Sequence, residues 1–368
     1  MISTRSARRR TLGLLSAALL TMNVGVLHAA DAPLSVVTSF SILGDMAREV
    51  GGPDVKVDTL VGPDGDAHSY EPTPQDAKRL STARVLVVNG LDFEAWLPRL
   101  TQSSGFKGQT IVASTGVTPR PFESGHDDDD HENDHGKDGG HDHDHGKAGA
   151  DAHGHEDAYV ASAKKAAGAA AHSHGDDRKH GGAGHTHDAH AHGSNDPHAW
   201  QDLRNGMRYA QNIAEGFAAA DPAHAAAYRA RAAAYVERLQ ALNTRITAQF
   251  AAIPAAQRKV VTSHDAFGYF GQAYGITFIA PVGMSTDAEP SAADMARLIG
   301  QVKRDTIRAV FVENISSPRL VEQIARETGA RTGGTLYSDA LSKPGQPAAT
   351  YLGMFEWNAK QLVNALQP

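Results

Sequence analysis

Between Ser124 and Ser194 the chain offers almost nothing from which a core could be made. The stretch is built from histidine, aspartate, glycine and alanine. From His126 to His192 it carries fifteen of the chain's twenty histidines, with fifteen acids and six bases. Apart from alanine it has few apolar side chains, so burial cannot offset the entropy of ordering it, and a disordered loop is expected. Ala158–Ala171, rich in alanine and lysine, lacks a strong apolar stripe and reads as transiently helical at most. Whatever folds must therefore be assembled from two pieces joined across this excursion. A chain of 368 residues leaves enough on either side for two globular lobes with substantial cores.

The N-terminus places Arg5, Arg8, Arg9 and Arg10 before the apolar run Leu12 to Leu27 and the small residues Ala29 and Ala30. This is the layout of a secretory signal peptide over residues 1–30, too short and too weakly apolar for a membrane span. Arg9 and Arg10 also admit a twin-arginine reading, and either route exports the protein. Cysteine is absent. That removes disulfides, thiolate metal sites, cysteine nucleophiles and the acceptor for a bacterial lipid anchor, so a soluble periplasmic protein is expected. The formal charge of −7 is carried mainly by the insert, where fifteen acids against six bases give −9. Allowing also for the four N-terminal arginines, the remaining body is close to −2. A nearly neutral body gives no footprint for nucleic acid.

On both sides of the insert, short apolar runs alternate with helical patterns. Ser35–Phe40, Val55–Val61, Val85–Val88 and Thr110–Ala113 read as strands. Helices are expected around Ile42–Val50, from Pro74 with Thr73 as cap, and over Ala95–Leu100. After Asn195 a helix spans about Leu203–Ala219, and a long alanine- and arginine-rich pattern runs from Asp221 to about Ala252, closed by Pro254. A helix of ~30 residues would reach about 45 Å. A coiled coil is the alternative, although Leu239, Leu242 and Ile246 supply few seam positions. The second half repeats the pattern: strands at Lys259–Thr262, Thr277–Ala280, Ala309–Val312 and Thr332–Leu336, helices at Ala266–Tyr274, Ser291–Lys303, Pro318–Thr328 and Met354–Leu366. The expected architecture is α/β: two similar lobes, each a mostly parallel sheet with flanking helices, joined by one long rigid helix. In residue terms these are an N-terminal lobe over 31–220 containing the insert 124–194, a connecting helix over 221–253, and a C-terminal lobe over 254–368.

Four residues stand out as metal-ligand candidates: His68, His198, His264 and Asp339. With the 67-residue stretch 126–192 set aside they fall 63, 66 and 75 residues apart, two in each half. His68, His264 and Asp339 each follow an expected strand, and His198 precedes an expected helix. Loops at the carboxyl ends of parallel strands converge on one crevice, so a site at the lobe interface follows. Three imidazoles and a carboxylate suit zinc in a tetrahedral or nearly tetrahedral set; manganese and iron stay as alternatives. Taken singly, each histidine also fits a loop or capping role, and Asp339 a turn. The pairs and triplets of histidine in the insert, such as His141-Asp142-His143-Asp144-His145, suit weak and poorly selective capture near the cleft, or a solvated spacer. A zinc hydrolase with an open position for water is the rival from another class, yet the chain has no His-Glu-x-x-His run and no nucleophile elbow. A periplasmic metal buffer acting through the insert alone is the third reading.

Several segments carry a resemblance. Asp66-Ala67-His68-Ser69-Tyr70-Glu71-Pro72-Thr73-Pro74-Gln75-Asp76 resembles the first ligand motif of the zinc/manganese family of ABC-transporter solute-binding proteins. So do Asn89-Gly90-Leu91 with Glu94 and Trp96 beyond, Asp196-Pro197-His198-Ala199-Trp200, the run Thr262 to Phe270, and Gly334 to Leu341 with Asp339. The resemblance runs from about residue 34 to the end, apart from the insert. It implies two α/β lobes around a long helix, a metal ion between them, and no enzymatic activity. It also implies a monomeric periplasmic protein that passes its ion to an inner-membrane ABC permease with a cytoplasmic ATPase. Manganese-type members often carry glutamate where His264 stands, so the resemblance leans towards zinc, as does the histidine-rich loop. Many zinc members carry an acid directly before the first histidine; here Ala67 stands there.

Overall fold

The computed structural model describes residues 32–122, 195–283, 286 and 289–367. The expected signal segment 1–30, the insert 124–194 and the alanine-rich run within it lie outside the described residues. Strands β1 (Leu34–Phe40), β2 (Val55–Val61), β3 (Val85–Val88) and β4 (Gln109–Val112) form a parallel sheet in the order β2-β1-β3-β4. Strands β5 (Lys259–Val261), β6 (Thr277–Ile279), β7 (Ala309–Glu313) and β8 (Arg331–Leu336) form a second, also parallel, in the order β6-β5-β7-β8. The two sheets thus share one topology. In each, the strand order reverses beside the first strand, which opens a crevice at the carboxyl ends.

Parallel strands need crossovers, and helices supply them. The first half contains α1 (Ser41–Gly51), α2 (Pro74–Ser81), α3 (Leu97–Ser104) and α4 (Leu203–Ala220). Then come α5 (Ala225–Ala251), α6 (Gly268–Tyr274), α7 (Ala292–Arg304), α8 (Arg319–Thr328) and α9 (Tyr351–Leu366). Strand β3 is Val-Leu-Val-Val with every residue buried, the sign of a sheet covered on both faces. Helix α2 starts where the sequence says it should. Thr73 Oγ1 accepts from the Asp76 N–H, Asp76 Oδ2 accepts from the Thr73 N–H, and Pro74 occupies the first turn. Ser291 and Asp294 repeat this reciprocal cap at α7.

The long helix is present: a one-turn 3-10 segment at Pro222–His224 leads into the 27 residues of α5, about 40 Å of rod. Its buried stripe is Tyr228, Ala232, Tyr235, Leu239, Leu242, Ile246 and Phe250, spaced by three and four residues. That stripe packs on α1 and α4 of the first lobe and on α6 and α9 of the second, so the seam serves the chain's own helices. Helices α3 and α6 each start two residues later than their patterns suggest, at Leu97 and Gly268. In both cases the residues given up belong to turns beside the site described below.

One apolar core runs from Leu34 to Leu366 through both lobes, and a smaller one lies between the second sheet and α7 and α8. Polar contacts also cross between the lobes. The indole of Trp200 and the amide of Gln201 both donate to the Ser338 carbonyl, at 2.9 and 2.6 Å. The Tyr351 N–H donates to Asp45 Oδ2 at 2.8 Å, and the Asp64 N–H to the Leu341 carbonyl at 2.9 Å. Among the described residues no helix is long and apolar enough to cross a membrane.

Candidate metal centre

All four residues singled out in the sequence meet at one point. His68 sits in the turn between β2 and α2, and His198 just before the 3-10 turn Ala199–Gln201 that leads into α4. His264 lies between β5 and α6, and Asp339 between β8 and α9. One donor atom from each lies within 4.8 Å of those of the other three. His68 Nε2 and His264 Nε2 approach Asp339 Oδ2 at 3.2 and 3.0 Å, and His198 Nε2 approaches Asp339 Oδ1 at 3.6 Å. His68 Nε2 and His198 Nε2 are 3.3 Å apart. Three imidazole nitrogens facing one carboxylate repel one another unless protons or a cation lie between them. His198, His264 and Asp339 are buried and His68 is half-buried, and Asp339 Oδ1 has no hydrogen-bond partner among the described residues.

Two of the rings are fixed from behind. His198 Nδ1 lies 2.8 Å from Asp196 Oδ1, whose other oxygen accepts from Arg120 Nη1 at 3.2 Å. His264 Nδ1 lies 2.7 Å from Glu313 Oε2, while Glu313 Oε1 accepts the backbone N–H groups of Ser263 and His264 at 2.8 and 2.9 Å. A carboxylate at Nδ1 keeps the proton there and leaves the Nε2 lone pair for the centre. His68 has no such acid at its ring among the described residues; its backbone N–H donates to Asp66 Oδ1, and its ring packs edge-on to Phe93.

The proton balance follows from this arrangement. Burial works against charge on all four groups, and the neighbours decide the outcome. For His68 burial prevails over the Asp339 contact, and its pKa is lowered. For His198 burial is outweighed by Asp339 and Asp196, and the pKa rises. For His264 burial is outweighed by Glu313 and Asp339, and the pKa stands well above the usual imidazole value. Burial would raise Asp339, but His198 and His264 hold it well below the usual carboxylate range. Without a cation, protons on His198 and His264 balance the buried acids; a metal ion must displace them.

A cavity of about 850 Å³ reaches the cluster past Asp66, Ser69, Ser263 and His264, and extends between α7 and α8. Two of the residues that line it are joined by a 2.5 Å hydrogen bond from Thr286 Oγ1 to Asp66 Oδ2. The supporting acids Asp196 and Glu313 were not singled out by sequence reasoning. Asp196 had a signal, standing two residues before a candidate histidine next to a proline. Glu313 had none, since it is the last residue of an otherwise apolar strand, distant in sequence from His264.

Comparison with known proteins gives this geometry a context. The family model described as zinc-uptake complex component A, periplasmic, matches residues 36–365. The manganese-binding lipoprotein MntA of Halalkalibacterium halodurans is 28% identical over 333 residues, 90% of this chain and 88% of its own. The iron-binding protein YfeA of Yersinia pestis is 26% identical over 321 residues, 87% of this chain and 82% of its own. The periplasmic zinc-binding protein TroA of Treponema pallidum superposes with a TM-score of 0.70 at 23% identity, over 92% of this chain and all of its own, which bears on the fold alone. The metal ABC transporter substrate-binding lipoprotein SloC of Streptococcus mutans is 25% identical over 341 residues, 92% of this chain and 91% of its own, so the hydrolase reading falls away. The chain belongs to the family of zinc-uptake complex component A, the metal-binding, extracytoplasmic substrate-binding proteins of ABC transporters.

Proposed function

We propose that the protein captures zinc in the periplasm through His68, His198, His264 and Asp339, and hands it to an inner-membrane ABC permease served by a cytoplasmic ATPase. It acts as a monomer. Residues 1–30 are its export signal, 31–220 and 254–368 its two lobes, and 221–253 the helix between them. The supporting observation is the donor set itself: three Nε2 atoms and one carboxylate within 4.8 Å of one another, with the Asp339 oxygens 3.0–3.6 Å from the three nitrogens and His68 Nε2 3.3 Å from His198 Nε2. Donors at about 2.0–2.1 Å from a tetrahedral zinc ion lie roughly 3.3 Å apart. A nitrogen-rich set favours zinc over harder cations, which prefer more oxygen and higher coordination. Within the same reading, residues 126–192 gather metal weakly.

Metal analysis of protein purified without added ions, followed by competition between zinc and manganese, tests the choice of ion. A preference for manganese would overturn it. Substituting His68 and His264 together by alanine removes the tight site if these residues are ligands. Deleting 126–192 lowers the stoichiometry and spares one tight site. Loss of that site in the deletion, with retention in the double substitution, would assign capture to the insert instead.

A further inference from the structure

The segment Asn89–Trp96 touches both histidine turns of the first lobe yet supplies no donor atom to the centre. It leaves β3 through three successive residues with left-handed backbone: Gly90 (φ 82°), Leu91 (φ 54°) and Asp92 (φ 59°). Glycine is required at 90, where a Cβ would lie 2.6 Å from the Val112 side chain. Leu91 and Asp92 have no such freedom, so the turn is strained and must be held. Buried Glu94 holds it. Its Oε1 accepts from Ser39 Oγ and the Asn89 N–H at 2.7 and 2.6 Å, and its Oε2 accepts from the Gly90 N–H at 3.2 Å.

The strained turn reaches the ligand-bearing segments at three places. Asn89 Nδ2 donates to the carbonyl of Pro197, the residue before His198, at 2.9 Å. Trp96 Nε1 donates to the carbonyl of Ala67, the residue before His68, also at 2.9 Å. Between them the Phe93 ring stands 4.8 Å from the His68 ring, edge-on, and 6.0 Å from the His198 ring. It is 3% exposed and wedged against Phe40 and Trp200. His68 is the histidine without an acid at its back, so ring packing orients it where Asp196 and Glu313 orient the other two.

We propose that Phe93 is a specificity-determining positioning residue: it fixes the His68 ring and fills the space beside His68 and His198 that an additional water donor would occupy. That side of the coordination sphere is thereby closed to a further donor, which disfavours cations that require five or six. This inference rests on the four-ligand reading above.

The test uses the full chain with Phe93→Ala and the conservative Phe93→Leu. Two quantities are read: the ratio of zinc to manganese affinity by competition, and the visible spectrum of the protein loaded with one equivalent of cobalt(II), whose bands are strong in tetrahedral sites and weak in higher coordination. Sites in the insert are common to every variant and cancel in the comparison. Phe93→Ala lowers the zinc preference by about tenfold, the lower end of the range for lost supporting contacts, and weakens the cobalt bands; Phe93→Leu keeps both close to wild type. A Phe93→Ala protein that melts earlier but keeps the wild-type ratio and spectrum would overturn the proposal. If that variant does not fold, Phe93→Val takes its place with the same two readouts. Unchanged zinc binding after substitution of His68 and His264 would sink the four-ligand reading instead, whatever Phe93 does.

Discussion

Glu313→Gln is the substitution that most directly probes how the centre works. Glutamine keeps the shape and can still accept the N–H groups of Ser263 and His264, but removes the charge 2.7 Å from His264 Nδ1. Two effects of opposite sign follow. The amide can donate to Nδ1 and drive the ring proton onto Nε2, which faces the centre; losing such a partner costs about 10–100-fold in metal affinity, or about 1.4–2.7 kcal/mol. Yet against the pull of burial, Glu313 is also the foremost reason His264 holds its proton to unusually high pH. A raised imidazole pKa means that protons compete with the metal up to that higher pH, so wild-type affinity falls early as the pH drops. The variant loses affinity later. The deficit of Glu313→Gln is therefore largest at high pH and narrows on acidification. Calorimetry in buffers of different protonation enthalpy shows more protons released per ion by the wild type than by the variant, the difference coming from His264. Equal affinities at high pH, together with an unchanged proton count, would refute this account.

Two further outcomes concern stability of the metal-free protein. Burial pushes the Asp45 carboxyl up to about 6, against the opposing Tyr351 N–H. Its contribution to stability is full below about pH 4 and is lost as the pH rises through 6, a difference of about 3 kcal/mol at most. Asp45→Asn, which still accepts from Tyr351, raises the urea midpoint at pH 7.5, and the gain disappears near pH 4. Thr73→Ala breaks the reciprocal cap of α2 and costs about 1 kcal/mol in urea unfolding, most of it recovered by Thr73→Ser.

The lobes, their strands and the long helix were legible in the sequence because each rests on local pattern. Val85–Val88 has no polar residue to confuse it, Thr73-Pro74-Gln75-Asp76 states its own cap, and Tyr228 to Phe250 repeat at helical spacing. The convergence of His68, His198, His264 and Asp339 was legible for a different reason: parallel strands send their following loops to one edge. What supports the cluster was not. Glu313 reaches His264 across 49 residues, and Asn89 reaches Pro197 across 108, through contacts that only the packed sheets create. The late starts of α3 and α6 have the same origin. The turn at Ala95 and Trp96 and the turn after His264 take residues that propensity alone would assign to a helix.

Continuity of the core also decides how an ion can leave. Trp200 and Tyr351 are fully buried and Leu341 nearly so; all three lie where one lobe meets the other, and Tyr351 Oη donates to the Trp200 carbonyl at 2.5 Å. Re-exposing these three side chains by swinging the lobes apart costs on the order of 6 kcal/mol before any hydrogen bond is counted, which keeps such a state below about one molecule in 10⁴. Displacing the turn that bears His68 asks for much less. Residues 62–72 are tied across the cleft by the Asp64 N–H to Leu341 and by Thr286 to Asp66, and to their own lobe by Trp96 at Ala67. Local release therefore outcompetes wide opening. On adding one equivalent of zinc, hydrogen exchange slows within residues 62–72 while the radius of gyration measured by small-angle scattering stays constant within error. A measurable contraction, with exchange slowing evenly across both lobes, would show that the shared core yields after all and that this ordering of costs is wrong.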